Sequence, residues 1–183
     1  MLAVKLERGG PNVAGSAWVA PNATLAGPVT VRPNAGIFYG AVLRAELSEI
    51  VIGERSNIQD NVVIHVDDAR PAIIGDDVSV GHSAILHGCR IDEGCLIGMG
   101  SIIMNGAHIG AHSLVAAGAL VLEDFVAPAG SLIVGAPARV RRALREDELA
   151  QLRENPHIYQ RLIAQHSRAN EYRTARSHNG AGL

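Results

Sequence analysis

Aliphatic residues recur along the chain at every sixth position. Val19, Leu25, Val31, Ile37 and Leu43 form one run, Ile52, Ile58 and Ile64 a second, and Ile74, Val80 and Leu86 a third. The longest run is Ile91, Ile97, Ile103, Ile109, Val115 and Val121, and Val126 with Leu132 closes the series. A second column lies four residues further on and is small or Val, as at Ala23, Ala35, Ala41, Ser56, Val62, Val78, Ala84, Cys95, Ser101, Ala107, Ser113 and Ala119. Its exceptions, Leu47, Asp68, Arg90 and Phe125, each precede a slip in phase. A period of six is too short for a helical repeat. It suits a β-solenoid whose triangular coil is three hexads, with one large aliphatic filling the interior and one small residue permitting each corner. The competing reading is a β-sandwich of short strands, which does not hold one phase over so long a stretch.

We label the three faces a, b and c. Face b carries Leu25, Leu43, Ile64, Leu86, Ile103 and Val121. All four slips fall between face b and face c: extra residues after Leu43 and Ile64, and one missing after Leu86 and after Val121. A solenoid irregular along one edge is expected to use that edge. The coil is expected to end near residue 135. Charges then become dense, and Leu144, Leu149 and Leu152 recur at helical spacing. Pro156 is expected to start a second helical segment, since Pro suits a first turn. The predicted fold is mainly β, a solenoid domain over 1–142, followed by a C-terminal helical segment over 143–173 packed on its wall and a frayed tail over 174–183.

Composition sharpens this picture. The chain is 48% hydrophobic but only 3% aromatic, which agrees with narrow coils that have no room inside for Trp or Phe. The net charge of −2 gives no reason to expect nucleic acid as a partner. No apolar stretch is long enough to predict a membrane span, and no signal peptide is expected. Cys89 and Cys95 make no disulfide framework and fit a reducing cytoplasm.

The stretch from Val63 to Gly88 holds His65, His82 and His87. His65 follows Ile64 and His87 follows Leu86, so both take the second position of a face-b hexad, one coil apart. Arg44 takes the same position one coil earlier. Adjacent coils are expected about 4.8 Å apart, a spacing at which two imidazoles can share a metal ion. His82 is on face a, on the order of 15 Å back along the strand path. The three histidines are therefore expected to meet only across a subunit interface, and a head-to-tail contact on a prism closes as a ring of three. Three histidines with an open position are the arrangement of a catalytic zinc site, where bound water loses a proton near pH ~7. Gln59 is placed to orient the nucleophile without adding charge, and Asp60 to pair with Arg44 across the interface. His108, His112, His157, His166 and His178 read as surface or tail residues, Cys89 as a small hydrophobe at a corner, and the Gly98–Gly100 stretch as turn residues.

The segments LRAE, SNIQDNVVIH, VGHSAILHGCRI, LIGMGS and VGAPAR strongly resemble the γ-class carbonic anhydrase-like proteins of the hexapeptide-repeat superfamily, over roughly residues 11 to 142. The resemblance implies a left-handed parallel β-helix, a helix lying along it, and a homotrimer. It implies ligands His65 and His87 from one chain and His82 from its neighbour, with Arg44, Gln59 and Asp60 beside them. Zinc is the implied metal, with iron or cobalt as alternatives, and the implied reaction is reversible hydration of CO2 to bicarbonate. Two departures stand out. Glu46 occupies a position that is often Asp, and the short VDDARPA connection replaces an acidic loop that carries a proton shuttle, leaving Asp67 or Asp68 as substitutes. Acyl transfer or thioester hydrolysis on a CoA substrate is the alternative enzyme class; a non-catalytic trimeric scaffold is the third reading.

Overall fold

The computed structural model describes residues 1–169. The chain winds into a left-handed parallel β-helix of three sheets with one C-terminal helix. Face b stacks seven strands from Leu2–Val4 to Leu120–Val121, and face c seven from Asn12–Val13 to Val126–Ala127. Face a stacks seven from Trp18–Val19 to Ser131–Gly135 and adds an antiparallel strand, Ala138–Ala143. Strands two or three residues long are sufficient here. Neighbouring coils exchange N–H···O=C bonds in both directions, so the backbone groups of a central coil are satisfied by the coils on either side. Val63 N–H donates to Ala84 O at 3.0 Å, and Ile85 N–H to Ser101 O at 2.8 Å.

Leu25, Leu43, Ile64 and Leu86 on face b, Ile58, Val80 and Ile97 on face a, and Ile52, Ile74 and Ile91 on face c fill the interior with essentially no exposure. Small residues such as Ala23, Ala41, Ala84 and Ala107 close the corners.

The sequence pattern needs two revisions along the solenoid. The series runs on from Val121 in step, because Ile109 pairs with Ala127 and Val115 with Ile133. Ala127 and Ile133 are the inward residues, while Val126 is 67% exposed. There is thus no slip after Val121, and the irregular edge carries three slips, after Leu43, Ile64 and Leu86. The aliphatic character of Val126 and Leu132 pulled the phase one residue early. At the other end, the solenoid starts before Val19, since Leu2–Val4 already pairs with Thr24–Ala26.

Beyond the coil, α1 runs unbroken from Glu146 to Arg168. Pro156 lies inside it rather than starting a second helix. A mid-helix proline costs about 3 kcal/mol, and here packing offsets that cost. Leu152, Pro156 and Ile163 are the buried residues of α1 and share one face. Ile163 sits so close to face a that a Cβ on Gly36 would lie 2.4 Å from its Cδ1. The start of α1 is tied down by Glu148, which accepts the Arg145 N–H at 2.8 Å and two bonds from the Arg142 guanidinium at 2.7 and 2.8 Å.

Four aromatic residues gather outside the coils. Trp18, Phe38 and Tyr39 of face a meet Tyr159 and His166 of α1, with ring centroids 5.0–5.9 Å apart. His166 is thus no bare surface residue, since its Nδ1 is 2.8 Å from the Tyr39 hydroxyl. Residues 170–183, including the expected tail and His178, lie outside the described residues. Among the described residues no helix is long and apolar enough to cross a membrane.

The revised phase predicts opposite outcomes for neighbouring substitutions. Ala127→Asp places an uncompensated charge in the interior and should destabilise the chain by at least about 3 kcal/mol. Val126→Asp should change stability by no more than about 0.5 kcal/mol. Urea unfolding of both variants checks the assignment; the reverse order would restore the earlier phase.

Candidate metal centre

Three parallel strands of face b end in register: Arg44 lies beside His65, and His65 beside His87. The inward residues Leu43, Ile64 and Leu86 fix this. Once they are buried, the period of two sends the next residue of each strand outward. The two imidazoles stand with centroids 4.8 Å apart and planes tilted by 59°. His65 Nδ1 is 2.8 Å from His87 Nε2. On the far side, His87 Nδ1 lies 2.9 Å from Asn105 Oδ1, and Asn105 Nδ2 donates to Asp67 Oδ2 at 2.8 Å.

On the near side, Arg44 is ion-paired with Glu46. Glu46 Oε1 approaches His65 Nε2 to 3.2 Å, yet His65 Nε2 and Glu46 Oε2 are both buried without a hydrogen-bond partner. Burial, followed by the Arg44 cation and His87, pushes the His65 pKa below its ordinary value, against an upward pull from Asp67. The ring is therefore neutral at pH 7 and keeps a lone pair.

His82 stands on face a with a different set of partners. Its Nδ1 is 2.9 Å from Asp60 Oδ2. An ionised carboxylate only accepts, so Nδ1 carries a proton, and in the neutral ring the lone pair is on Nε2. Asp60 Oδ1 accepts the Tyr39 N–H at 3.2 Å. Gln59 is nearly buried; its Oε1 accepts the His82 N–H at 3.2 Å and its Nε2 donates to Asn57 Oδ1 at 3.1 Å. Asn57 in turn donates to Ser79 Oγ at 2.8 Å.

One chain therefore carries two separate polar clusters. The first is Arg44, His65 and His87; the second is Gln59, Asp60 and His82. Among the described residues no three His, Cys, Asp or Glu side chains are gathered so as to hold a metal ion. Nor is Arg44 paired with Asp60 within the chain, since their partners are Glu46 on one side and His82 and Tyr39 on the other. Sequence reasoning missed Asn57 and Asn105. Asn57 directly precedes the counted Ile58, and its polar side chain beside the histidine coils was the available signal; Asn105 stands two residues from both Ile103 and Ala107 and carried none.

The donor chemistry fits a metal ion. His82 offers an unprotonated Nε2 because Asp60 holds its other nitrogen, the usual device for orienting a ligand imidazole. His65 has a buried nitrogen with no partner, and the 2.8 Å approach of His65 and His87 focuses two rings on one spot. Cys89 adds no ligand: it is fully buried, and burial pushes its thiol up to about 12, as for Cys95. His108 is engaged with Asp92 at 2.7 Å.

Residues 88–123 match the bacterial transferase hexapeptide (six repeats) family. A probable carbonic anhydrase of Methanocaldococcus jannaschii is 43% identical over 144 residues, covering 79% of this chain and 91% of the relative. The chain belongs to the γ-class carbonic anhydrase-like family of hexapeptide-repeat proteins. The mitochondrial γ carbonic anhydrase 1 of Arabidopsis thaliana is 39% identical over 166 residues, which are 87% of this chain but only 60% of that protein. Among solved structures, a putative acetyltransferase of Bacillus cereus superimposes with a TM-score of 0.89 at 35% identity, over 90% of this chain and 96% of the other.

Both thiols should be silent to alkylation at pH 8 in the folded protein, because burial raises their pKa values to about 12 and leaves almost no thiolate. Both should react once urea exposes them. Mass-spectrometric counting of adducts checks this, and rapid labelling of the native chain would contradict the assigned burial.

Proposed function

We propose that the chain works as a homotrimer that holds a metal ion between subunits and catalyses the reversible hydration of CO2 to bicarbonate. His65 and His87 of one chain and His82 of the next are the ligands. Zinc is the first candidate; iron and cobalt are the alternatives. The observation that carries the reading is the pair of clusters: His82 and His87 each have Nδ1 held by a neighbour, Asp60 and Asn105, and His65 stands against His87 with a partnerless Nε2, yet the three do not gather within a single chain. Exposed apolar residues flank the histidine column on face b, Val63 and Ile85 at 39% each, as an interface next to that column requires.

A bound metal ion supplies the Lewis acidity that lets a water molecule ionise near neutral pH. The chain's own residues do the remaining work. Asp60 keeps His82 in the Nδ1–H form. Gln59 has one N–H and one lone pair left after binding Asn57 and His82, so it can orient a reacting group while staying neutral. Arg44, paired with Glu46, brings positive charge beside His65. That charge disfavours protonation of the ring and so preserves it as a ligand.

A second reading has one specific support. Beside Gln59 and His82, a cavity of about 480 Å³ lined by Leu96, Leu114, Ala117 and Tyr159 opens between face a and α1. It would suit an acyl group, and the Bacillus cereus relative is described as a putative acetyltransferase. Turnover of acetyl-CoA that survives chelation would favour acyl transfer or thioester hydrolysis over CO2 hydration.

Complementation between variants tests the main reading. Stopped-flow CO2 hydration should be lost in both His82→Ala and His87→Ala trimers, each with metal content lowered at least tenfold or so. Co-refolding the two should recover activity, because every mixed ring of three contains one site with all its ligands. Failure of the mixture to recover would contradict a shared site. Wild-type protein that binds metal without hydrating CO2 would move the function to the acyl reading or to a scaffold.

A further inference from the structure

We infer that Asn105, held by Asp67, is a positioning residue that fixes which nitrogen of His87 stays unprotonated. The inference rests on the metal reading for its consequence, though not for its geometry.

The argument follows the direction of three hydrogen bonds. At neutral pH an aspartate carboxylate only accepts. The Asn105 group 2.8 Å from Asp67 Oδ2 must therefore be the amide NH2. That turns the Asn105 carbonyl toward His87, where Oδ1 lies 2.9 Å from Nδ1. A carbonyl only accepts, so His87 Nδ1 carries a proton, and in the neutral ring Nε2 holds the lone pair. His65 Nδ1, 2.8 Å from that lone pair, is then the donor, which leaves His65 Nε2 unprotonated. This accounts for an otherwise odd contact: His65 Nε2 has no partner although Glu46 Oε1 is 3.2 Å away. Glu46 Oε1, already engaged by the Arg44 guanidinium, and His65 Nε2 then meet as two acceptors with no proton between them. One carboxylate thus sets the polarity of the whole chain from Asp67 to His65.

The backbone is shaped to permit this bridge. A Cβ on Gly88, the residue after His87, would lie 2.2 Å from Asn105 Oδ1 and 3.0 Å from Arg70 Cβ. Gly88 therefore leaves the room that Asn105 needs to reach over the corner between coils. Asp67 sits in the segment inserted after His65, pinned by the Arg70 N–H donating to its carbonyl at 3.1 Å. The short insertion supplies a positioning carboxylate.

The test begins with the metal-free full-length protein at pH 8. Long-range proton–nitrogen NMR should show His87 as the Nδ1–H tautomer, and Asn105→Ala should convert it to a mixture. Zinc affinity by competition with a chromogenic chelator should fall about 10–100-fold in Asn105→Ala and about as far in Asp67→Ala. Asp67→Asn keeps a carbonyl that accepts the Asn105 amide, so its affinity should stay within about threefold of wild type. A structural role alone would shift the melting temperature of Asn105→Ala and leave its tautomer intact. That outcome, or an Nε2–H His87 in the wild type, overturns the inference. Wild-type protein that binds no zinc while its tautomer responds as described would sustain the positioning role and sink the metal reading instead.

Discussion

The register between successive coils is the constraint on which the molecule depends. Each short strand has its backbone groups satisfied only if the coils on either side present theirs at the same height, and the inward aliphatic column locks that height. A shift of one residue would bury His65 and His87 and expose Ile64 and Leu86. The histidine pair is thus a by-product of core packing, since two side chains equally placed on stacked coils must sit side by side. The site needs no long loop to assemble it. Its precision comes from the rigid ladder, on which ligands are better held than on mobile segments.

Polarity then does what packing cannot. Two neutral imidazoles in contact can exchange roles as donor and acceptor, and a site built on them would be ill defined. Carboxylates at the edges remove the ambiguity: Asp60 orients His82, and Asp67 acts on His87 through Asn105. Glu46 belongs to the same economy. It neutralises Arg44 while standing close to the unprotonated nitrogen of His65.

Much of this was legible in the sequence because the repeat is so strict. The six-residue phase places Arg44, His65 and His87 in one column and His82 on another face. What escaped was legible only from packing. Val126 and Leu132 looked like interior residues because they are large and aliphatic, whereas the interior at that end takes Ala127 and Ile133. Pro156 looked like a helix start because its local cost is high, but the buried stripe of α1 outweighs it. Asn105 gave no pattern at all. Its meaning depends on a glycine one coil earlier and a carboxylate many residues before, and hydrophobic periodicity records neither. His166 likewise looked bland until the aromatic cluster between α1 and face a was seen around it.

The comparisons place the chain in a family whose relatives are named both as carbonic anhydrases and as transferases. Fold alone does not choose between such activities; the proposed sharing of histidines between subunits is what would. The central claim is that the metal belongs to an assembly rather than to a chain. Native mass spectrometry of zinc-loaded protein tests this most directly. The account predicts a trimer carrying three zinc ions, and chains separated by gentle dissociation that no longer retain them one each. A monomer that holds zinc on its own, or a trimer that takes up none, would contradict it.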